Sequence, residues 1–557
     1  MSAGQATAPV VDIRDLRVVF ATDGGDVVAV DGVDLAVAPG EIVAIVGESG
    51  SGKTVTARSI LGLLPETAAQ SGAVIVGGED VVTADSRELR EIRGRRAAMV
   101  FQEPSSVLNP VFRVGWQIAE GLRAHGRVSR AEGRARAIEM LRRVGIPEPE
   151  TRVDYYPHQF SGGQKQRIVI AMALALNPAV IVADEPTTAL DVTVQAEILE
   201  LLRRCRDEYG TAIVLITHNM GVVADLADRV VVMHHGRVVE EAPVERLFAA
   251  PRDEYTRQLL AAVPRLEGGP STAHEAPSSV PERAAGESKG VVEAAGLVIE
   301  YPARFGRKAF RAVDDVTFAI APGEVLGLVG ESGSGKTTIG RAIAGLTPVT
   351  GGRLDVLGVD LAAARERTFR PQRRRLGFVF QDPGTSFDPL MTIGTAIAEP
   401  IHIHGTASER TGARRRVEEL LEAVRLPRAY ADRFPHELSG GQRQRASLAR
   451  GLVLGPDLLI ADEPTSALDV SVQAAVLELF AELHAEFGFA CLFITHDLAV
   501  VDQVADRVAV LYRGRIVEEG PSGEVLRAPR EPYTQRLLAS LPIPDPVLQR
   551  ARRVLGP

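Results

Sequence analysis

The sequence GESGSGKT occupies Gly47–Thr54 and returns unchanged at Gly330–Thr337. In both places it follows a short apolar run, EIVAIVG or EVLGLVG, that predicts a buried strand, and it opens a stretch suited to a helix. A G-x-x-x-x-G-K-[ST] pattern in that setting is typical of a phosphate-binding loop, since its glycines let backbone N–H groups face phosphate oxygens. The residues that we expect to bind nucleotide are Gly47, Glu48, Ser49, Gly50, Ser51, Gly52, Lys53, Thr54, Gly330, Glu331, Ser332, Gly333, Ser334, Gly335, Lys336 and Thr337.

Other segments repeat in the same order. VFQEPSSVLNP returns as VFQDPGTSFDP, YPHQFSGGQKQR as FPHELSGGQRQR, and VADEPTTALDVTVQA as IADEPTSALDVSVQA. A period of about half the chain is far longer than the ~20–50 residues of a solenoid repeat, so the sequence indicates a duplicated domain. The stretch between the copies is rich in Pro, Gly, Ser and Ala and predicts a flexible linker. We therefore expect domains at 1–264 and 291–557, joined by a linker at 265–290.

Composition excludes several classes of protein. The 557 residues carry a net charge of −9, which argues against a chain built to neutralise nucleic-acid phosphate. The two cysteines, Cys205 and Cys491, are too few for a disulfide framework or an iron–sulfur site, and we expect both to be buried thiols. The N-terminus lacks a signal-peptide pattern, and no apolar stretch is long enough to span a membrane. Any membrane role is therefore expected to come through a partner.

Carboxylates and histidines follow apolar runs in each copy. Asp184-Glu185 and Asp462-Glu463 end predicted strands, where the aspartate could hold Mg²⁺ and the glutamate could act as general base. The alternative is a pair of solvated acids in a loop. His218 and His496 end the next strands and could contact the γ-phosphate and orient the attacking water.

Further polar groups complete the predicted site. Thr54 and Thr337 offer hydroxyls to Mg²⁺, while Lys53 and Lys336 reach the β- and γ-phosphates. Gln102 and Gln381 end short apolar segments, where an amide could reach both Mg²⁺ and water. Phe20 and Tyr301 precede the loops and could stack on adenine, although most aromatic residues are core residues. A second anion cradle is predicted at two helix starts, formed by Ser161, Gly162, Gly163, Gln164, Ser439, Gly440, Gly441 and Gln442.

The order of these motifs resembles that of ATP-binding cassette (ABC) ATPases, twice in tandem across Val11–Pro264 and Val291–Pro542. The resemblance implies an α/β fold with two P-loop NTPase domains. Each would have a RecA-like core, a small antiparallel β subdomain and an α-helical signature subdomain. It also implies head-to-tail pairing, in which each phosphate-binding loop faces the other copy's SGGQ and Asp191 and Asp469 link the two sites. Phe160, where the second copy has the usual Leu438, is the only departure in either signature, so both sites are expected to hydrolyse ATP.

Three segments resemble the peptide/nickel importer branch of that family: the stretches after the glutamines, the YPHQFSGG and FPHELSGG lead-ins, and the tails APRDEYTRQLLAAVP and APREPYTQRLLASLP. This resemblance implies a fused importer ATPase, peripheral on the cytoplasmic face of the membrane. Two permease subunits would dock near Glu103 and Asp382, and an extracytoplasmic binding protein would deliver substrate. Many relatives carry a cysteine cluster after the tail; this chain does not, so no iron–sulfur cluster is expected.

Alternatives remain at this stage. A soluble tandem ABC protein acting on ribosomes or DNA is disfavoured, because such proteins typically carry a long basic or helical arm. A sugar-type tandem importer usually has a degenerate second copy, whereas this second copy is intact. Di- and oligopeptides are the first expected substrates, followed by glutathione, opines or nickel. His402 and His404 are expected to be incidental to metal transport.

Overall fold

A computed structural model describes residues 8–22, 25–188, 190–264, 290–303, 309–466 and 468–555. These residues group into two compact units. Unit 1 is drawn from Met1–Val263, Asp469–Ser471 and Leu541–Pro557, and unit 2 from Pro264–Leu468 and Val472–Ser540. The predicted linker lies outside the described residues except for Gly290. The predicted domain boundaries stay a prediction, and the C-terminal segment groups with unit 1 rather than with the copy that it follows in the chain.

Unit 1 contains a six-stranded sheet and a separate four-stranded sheet. The larger sheet has the order β10-β9-β3-β8-β7-β6, and all of its pairings except β10–β9 are parallel. The smaller sheet has the order β2-β1-β4-β5 and is antiparallel. The strands are β1 (Val11–Thr22), β2 (Gly25–Val37), β3 (Ile42–Val46), β4 (Ala68–Val76), β5 (Glu79–Asp80), β6 (Ala97–Val100), β7 (Val180–Asp184), β8 (Ala212–Ile216), β9 (Arg229–His234) and β10 (Arg237–Pro243).

The helices of unit 1 include a helical segment inserted between β6 and β7, which begins with α3 and ends with α7. The helices are α1 (Lys53–Ser59), α2 (Ser86–Ile92), α3 (Pro104–Val107), α4 (Val114–His125), α5 (Arg130–Arg143), α6 (Pro149–Arg152), α7 (Gly162–Leu174), α8 (Val192–Tyr209), α9 (Met220–Leu226), α10 (Val244–Ala249) and α11 (Glu254–Ala261), with a 3-10 turn at Pro157–Gln159. The chain's last helix, α23 (Pro546–Leu555), also belongs to this unit.

Unit 2 repeats this architecture, with sheet orders β16-β17-β18-β13-β19-β20 and β12-β11-β14-β15. Its strands are β11 (Val292–Tyr301), β12 (Phe310–Ile320), β13 (Val325–Val329), β14 (Gly351–Val356), β15 (Val359–Asp360), β16 (Leu376–Val379), β17 (Leu458–Asp462), β18 (Ala490–Ile494), β19 (Arg507–Tyr512) and β20 (Arg515–Pro521).

Its helices are α12 (Lys336–Ile343), α13 (Glu366–Phe369), α14 (Pro383–Ser386), α15 (Ile393–His404), α16 (Ala407–Thr411), α17 (Ala413–Ala423), α18 (Gly440–Leu452), α19 (Val470–Phe487), α20 (Leu498–Val504), α21 (Ser522–Arg527) and α22 (Pro532–Ala539), with 3-10 turns at Arg370–Arg375, Arg428–Asp432 and Pro435–Glu437. The first two residues of α19 group with unit 1.

The continuous apolar runs form central strands because both faces of each larger sheet are covered. Along β7, Val180 and Val182 pack in the cluster shared with the antiparallel sheet, whereas Ile181 and Ala183 pack in the cluster shared with the helical segment. The period of two along a strand explains this alternation. The predicted α/β class is thus confirmed in both units. In the described part of the chain, no helix combines the length and the apolar character needed to cross a membrane.

Both cysteines are buried, as the sequence predicts. Burial raises the pKa of Cys205 to about 11, and it also raises the pKa of Cys491, which lies in the central strand β18. A thiol reacts with alkylating agents through its thiolate. The raised pKa values therefore limit the reaction of both cysteines, and so does their burial.

We predict that iodoacetamide at pH 8 leaves both thiols unmodified in the native chain and modifies both after unfolding in guanidinium chloride. Mass spectrometry of the two cysteine-containing peptides measures the reaction. Rapid native modification of Cys491, which has no exposed surface, would contradict the placement of β18 at the centre of its sheet.

Candidate functional site

The phosphate-binding loops join β3 to α1 and β13 to α12, as the sequence predicts. Their first glycines, Gly47 and Gly330, have φ values of 146° and 148°. A Cβ on Gly47 would lie 2.2 Å from the Met233 carbonyl oxygen, and one on Gly330 would lie 2.1 Å from that of Leu511. Only glycine permits this approach, so the backbone of each loop is held against the end of the neighbouring strand.

Each loop surrounds the ammonium group of its lysine. Lys53 Nζ donates to the carbonyl oxygens of Gly47 and Glu48, both at 2.7 Å, and Lys336 makes equivalent bonds to Gly330 at 2.7 Å and Glu331 at 2.9 Å. Both lysines are buried. Burial lowers the pKa of Lys53, although nearby carboxylates partly oppose that effect. The lysine ammonium in each loop therefore lies where it can bind an anionic group that enters the loop.

The threonine at the start of each helix lies beside the aspartate at the end of a central strand. Thr54 Oγ1 donates to Asp184 Oδ1 at 3.3 Å, and Thr337 Oγ1 donates to Asp462 Oδ1 at 3.1 Å. Burial raises the pKa of both aspartates. One carboxylate and one hydroxyl fit Mg²⁺, which commonly takes few protein ligands and completes its shell with water and phosphate. Among the described residues, no group of three or more His, Cys, Asp or Glu is arranged to hold a metal on its own.

In each unit the glutamate, glutamine and histidine predicted from separate motifs converge. Glu185 Oε2 accepts a hydrogen bond from Gln102 Nε2 at 2.8 Å, and Glu185 Oε1 lies 3.1 Å from His218 Nδ1. Because an ionised carboxylate can only accept, the proton in the second contact lies on the histidine. Gln102 therefore donates through its amide nitrogen to the catalytic candidate Glu185, and its contact with Mg²⁺ and water stays a prediction.

The same contacts recur in unit 2. Gln381 Nε2 donates to Glu463 Oε2 at 3.0 Å, and His496 Nδ1 lies 3.3 Å from Glu463 Oε1. A hydroxyl that was not selected from the sequence also lies beside each glutamate and helps to lower its pKa. In unit 1 the Thr188 hydroxyl donates to the Glu185 carboxylate at 2.9 Å, whereas in unit 2 the matching Ser466 hydroxyl donates to the Glu463 backbone carbonyl at 3.2 Å.

Glu185 and Glu463 both adopt φ = 48°, in the left-handed region that non-glycine residues rarely occupy. Their amides still continue the sheet, because Glu185 N donates to the Ile216 carbonyl at 2.9 Å and Glu463 N donates to that of Ile494 at 2.8 Å. The strand thus ends abruptly, and the side chain turns toward the histidine. Such strain is a common feature of functional positions, and here it recurs in both copies.

The carboxylate and the imidazole stabilise each other's charge. Burial raises the pKa of Glu185, but the hydrogen bond and charge of His218, together with Thr188 and Lys53, outweigh it, so that the pKa lies below its ordinary value. Burial alone lowers the pKa of His218, but Glu185 outweighs it and raises that pKa. Glu463 and His496 shift in the same directions for the same reasons. Each pair therefore favours the ionised glutamate beside the protonated histidine.

The SGGQ residues begin the helices predicted for them. Ser161 caps α7 and Ser439 caps α18; in each case the serine Oγ accepts from the glutamine amide three residues later, at 3.3 Å. A Cβ on the second glycine, Gly163 or Gly441, would lie 2.3 Å from the side chain of Val194 or Val472. The helix start is thus packed tightly behind its second glycine, while its first glycine has open space.

The two aromatic candidates lie in corresponding strands but in different surroundings. Phe20 is partly buried near the end of β1 and packs against the core of unit 1. Tyr301 ends β11 and is 42% exposed. The partial burial of Phe20 agrees with the alternative of a core role, so adenine stacking stays a prediction at both positions.

Two tyrosines that the sequence analysis did not select contact the loops. The Glu48 amide donates to the Tyr255 hydroxyl at 2.9 Å, and the Glu331 amide donates to the Tyr533 hydroxyl at 3.2 Å. Both tyrosines lie in the repeated tails, and that repetition was the available signal. Also within unit 1, the Ser49 amide donates to Asp469 Oδ2 at 3.0 Å. Two amides of the first loop, those of Glu48 and Ser49, therefore already donate to oxygen acceptors.

The residues expected near permease subunits begin short helices. Glu103 precedes α3 and Asp382 precedes α14, and both are exposed. Each follows its site glutamine directly, so the exposed segment is continuous with the contact to Glu185 or Glu463.

We predict that Glu185→Gln lowers the pKa of His218, because the neutral amide removes the partner that stabilises the imidazolium. NMR titration of the histidine ring protons without nucleotide or magnesium measures the shift. In the wild type the ion pair stabilises the fold below the unfolded-state pKa of histidine, and that contribution is lost as pH rises through the raised folded-state pKa. Glu463→Gln is the matched variant and should move His496 only; an unchanged His218 in Glu185→Gln would contradict the ion pair.

Comparison with known proteins identifies the family. The ABC transporter family model matches residues 30–188 and 313–466, and the model for the oligopeptide/dipeptide transporter C-terminal region matches residues 239–290 and 517–556. The chain is 45% identical over 577 residues to the glutathione import ATP-binding protein GsiA of Salmonella choleraesuis (strain SC-B67). It is 44% identical over 575 residues to GsiA of Escherichia coli (strain K12). Each alignment covers 98% of this chain and 92% of the relative.

Solved structures that match include a dimeric ATP-binding cassette, MJ0796, bound to ADP and Pi. That match has 30% sequence identity and a TM-score of 0.38, and it covers 42% of this chain and 98% of the cassette. From the two family matches and the full-length relatives, the chain belongs to the ABC transporter family, as an importer ATPase with both ATP-binding domains on one polypeptide and the C-terminal region of the oligopeptide/dipeptide transporters.

Proposed function

We propose that this chain hydrolyses ATP at two sites, built on Glu185 and Glu463, to power the import of small peptides. The observation that carries the proposal is the same convergence in both units. A partly buried glutamate, held left-handed directly after a strand, is bonded to a glutamine and a histidine from separate motifs. Neither copy lacks a member of this set.

In the proposed reaction, Glu185 and Glu463 orient and polarise the attacking water. Their lowered pKa values keep them ionised at neutral pH, so a carboxylate oxygen is available to accept a water proton. A low pKa also makes a carboxylate a weaker base, so fixed orientation is the larger part of its contribution. His218 and His496 hold one oxygen of each carboxylate, while Gln102 and Gln381 hold the other.

The phosphate-binding loops would hold the nucleotide phosphates through Lys53 and Lys336, which exchange backbone carbonyl partners for phosphate oxygens. Thr54, Gln102 and Asp184 would hold Mg²⁺ in one site; the matching residues in the other are Thr337, Gln381 and Asp462. When bound, Mg²⁺ supplies positive charge that neutralises the phosphate oxygens. We assign adenine stacking to Phe20 and Tyr301.

We further propose that each site is completed by the signature of the other copy. Ser439–Gln442 would serve the first loop and Ser161–Gln164 the second. The support is chemical: each signature presents a helix N-terminus whose first glycine leaves open space for an anion, and each copy already has a separate phosphate-binding loop. In this proposal the two copies are separate domains, near the predicted boundaries 1–264 and 291–557. Each domain would contribute one phosphate-binding loop and one SGGQ signature.

The partners that we propose are two integral-membrane permease subunits, docked near Glu103 and Asp382, and an extracytoplasmic substrate-binding protein that acts through them. The chain would lie peripherally on the cytoplasmic face of the membrane. Binding of two ATP would close the pair and hydrolysis would reset it. We propose neither a nucleic-acid partner nor an iron–sulfur cluster.

For the transported substrate we propose di- and oligopeptides, and glutathione is the first compound to test. It is a tripeptide and so belongs to the proposed class. The support is the similarity to relatives that are glutathione import ATP-binding proteins.

We predict that Glu185→Gln combined with Glu463→Gln lowers the steady-state ATPase rate by about 10²- to 10⁴-fold, the range expected when a general base is lost. ATP binding should persist, because neither residue belongs to the phosphate-binding loops. Phosphate release and equilibrium ATP binding measure the two effects.

The matched control for this double variant is Glu208→Gln with Glu486→Gln, exposed glutamates at corresponding positions of the two copies. This control should keep the wild-type rate. A near wild-type rate in the site variant would contradict the assignment of the glutamates, whereas an unchanged rate in one single variant would show that its site is silent.

We predict that the hydrolysis-deficient double variant, purified from membranes with ATP and Mg²⁺, retains integral-membrane permease subunits. Slow hydrolysis prolongs the ATP-bound state and therefore the transport complex. Mass spectrometry of the purified complex identifies the retained proteins. Recovery of ribosomes in place of permease subunits would contradict the importer proposal.

A further inference from the structure

The C-terminal segment, Leu541–Pro557, follows the last residues of unit 2 in the chain but belongs to unit 1. It contains the last helix, α23 (Pro546–Leu555), which packs against α9 and α10. Asp545 caps this helix by accepting from the amides of Val547 and Leu548 at 2.9 and 3.0 Å. The segment is therefore an ordered element that lies on a surface of the first copy.

A glycine on α9 makes room for the segment. Gly221 packs so close to Pro542 that a Cβ on the glycine would lie 2.6 Å from the Pro542 carbonyl oxygen. No side chain tolerates that distance to a backbone atom, so the segment or the helix would have to move. The same position in the second copy, read from THNMGVVADL against THDLAVVDQV, is Ala499.

A buried carboxylate at the end of α9 is the main polar anchor. The Asp225 side chain is 8% exposed, and it accepts from Gln549 Nε2 at 2.9 Å and from the Arg553 guanidinium. Arg553 also donates to the Asp225 carbonyl at 2.6 Å. Within unit 1, Asp225 is further paired with Arg203 at 2.8 Å. A buried charge requires partners of this kind, and the C-terminal segment supplies two of them.

A second acidic residue that contacts the C-terminal segment lies on α10. Glu245 is paired with Arg550, the exposed arginine one turn before the end of α23. Inside the segment, Ile543 N donates to Gln549 Oε1 at 2.9 Å, and Arg552 donates to the Leu541 carbonyl at 3.1 Å. The segment is thus pre-shaped, and its Gln549, Arg550 and Arg553 side chains point to the acceptor.

In the second copy, none of the matching positions carries the residue that contacts the C-terminal segment in the first copy. Gly221, Asp225 and Glu245 correspond to Ala499, Gln503 and Gly523, and Arg203 corresponds to Ala481. Alanine would block the approach of Pro542, while neutral residues replace both acids that pair with arginine. The surface on α9 and α10 is therefore particular to the first copy, even though the residues around the nucleotide site repeat almost unchanged.

We propose that residues 541–555 form a clasp that recognises the first copy selectively, through Gly221, Asp225 and Glu245. The occupant of the α9–α10 surface is this segment of the same chain. Since Asn219, the residue after His218, caps α9 at its start, the clasp holds the helix that continues from the site histidine of unit 1. Its docking stabilises the surroundings of His218 and leaves α20, which follows His496, without an equivalent support from the clasp.

Gly221→Ala in the full-length chain tests this proposal without nucleotide or partners, so the outcome is independent of the proposed transport function. Alanine is the better helix former and is the natural residue at position 499, so α9 itself is expected to remain folded. We expect hydrogen exchange of the 546–555 amides to accelerate about tenfold or more, the factor expected when a charge-assisted hydrogen bond is lost. Arg553→Ala, which removes a partner of Asp225, should have the same effect.

The matched control is Ala499→Gly, which should leave exchange of the 546–555 amides unchanged. Exchange in the other peptides of the chain reports whether each variant is folded. Unchanged protection of 546–555 in both Gly221→Ala and Arg553→Ala would overturn the clasp. Equal loss of protection in Ala499→Gly would overturn its selectivity for the first copy.

Discussion

The glutamate that directly follows each buried central strand is the constraint on which the site depends. A carboxylate in that position is stable as an anion only if donors surround it, and its left-handed backbone turns it toward the histidine of the next strand. The parallel pairing of β7 with β8, and of β17 with β18, places those donors at one sheet edge. In each unit, the six-stranded sheet therefore holds one glutamate beside its hydrogen-bond donors.

Much of this arrangement was predictable from local sequence. Continuous apolar runs predict strands buried on both faces, and they correspond closely to β3, β7 and β8. The glycine pattern predicts the phosphate-binding loop because no other residue allows the approach of Gly47 to Met233. The serine of SGGQ predicts a helix start because a hydroxyl there accepts a free amide. Each of these signals acts over a few residues.

The rest depends on contacts between residues far apart in the chain, which local patterns do not encode. Tyr255 reaches the Glu48 amide from a tail helix, and nothing in the sequence around it marks a partner in the phosphate-binding loop. Likewise, no local pattern around Gln102 predicts that its amide donates to Glu185. Phe20 illustrates a third limit, because an aromatic residue near a site can equally well contribute to the core.

The two copies are alike around the glutamates but differ in the helices that follow the histidines. Residues that contact the glutamates are nearly identical in both, apart from the exchange of Thr188 for Ser466. One turn behind the histidines the copies diverge: Gly221 and Asp225 form an acceptor on α9, whereas Ala499 and Gln503 on α20 do not. A buried aspartate with three polar partners resists displacement more than an exposed amide does. Both copies thus carry the same glutamate, glutamine and histidine, whereas the clasp that we propose would stabilise only the helix that follows His218.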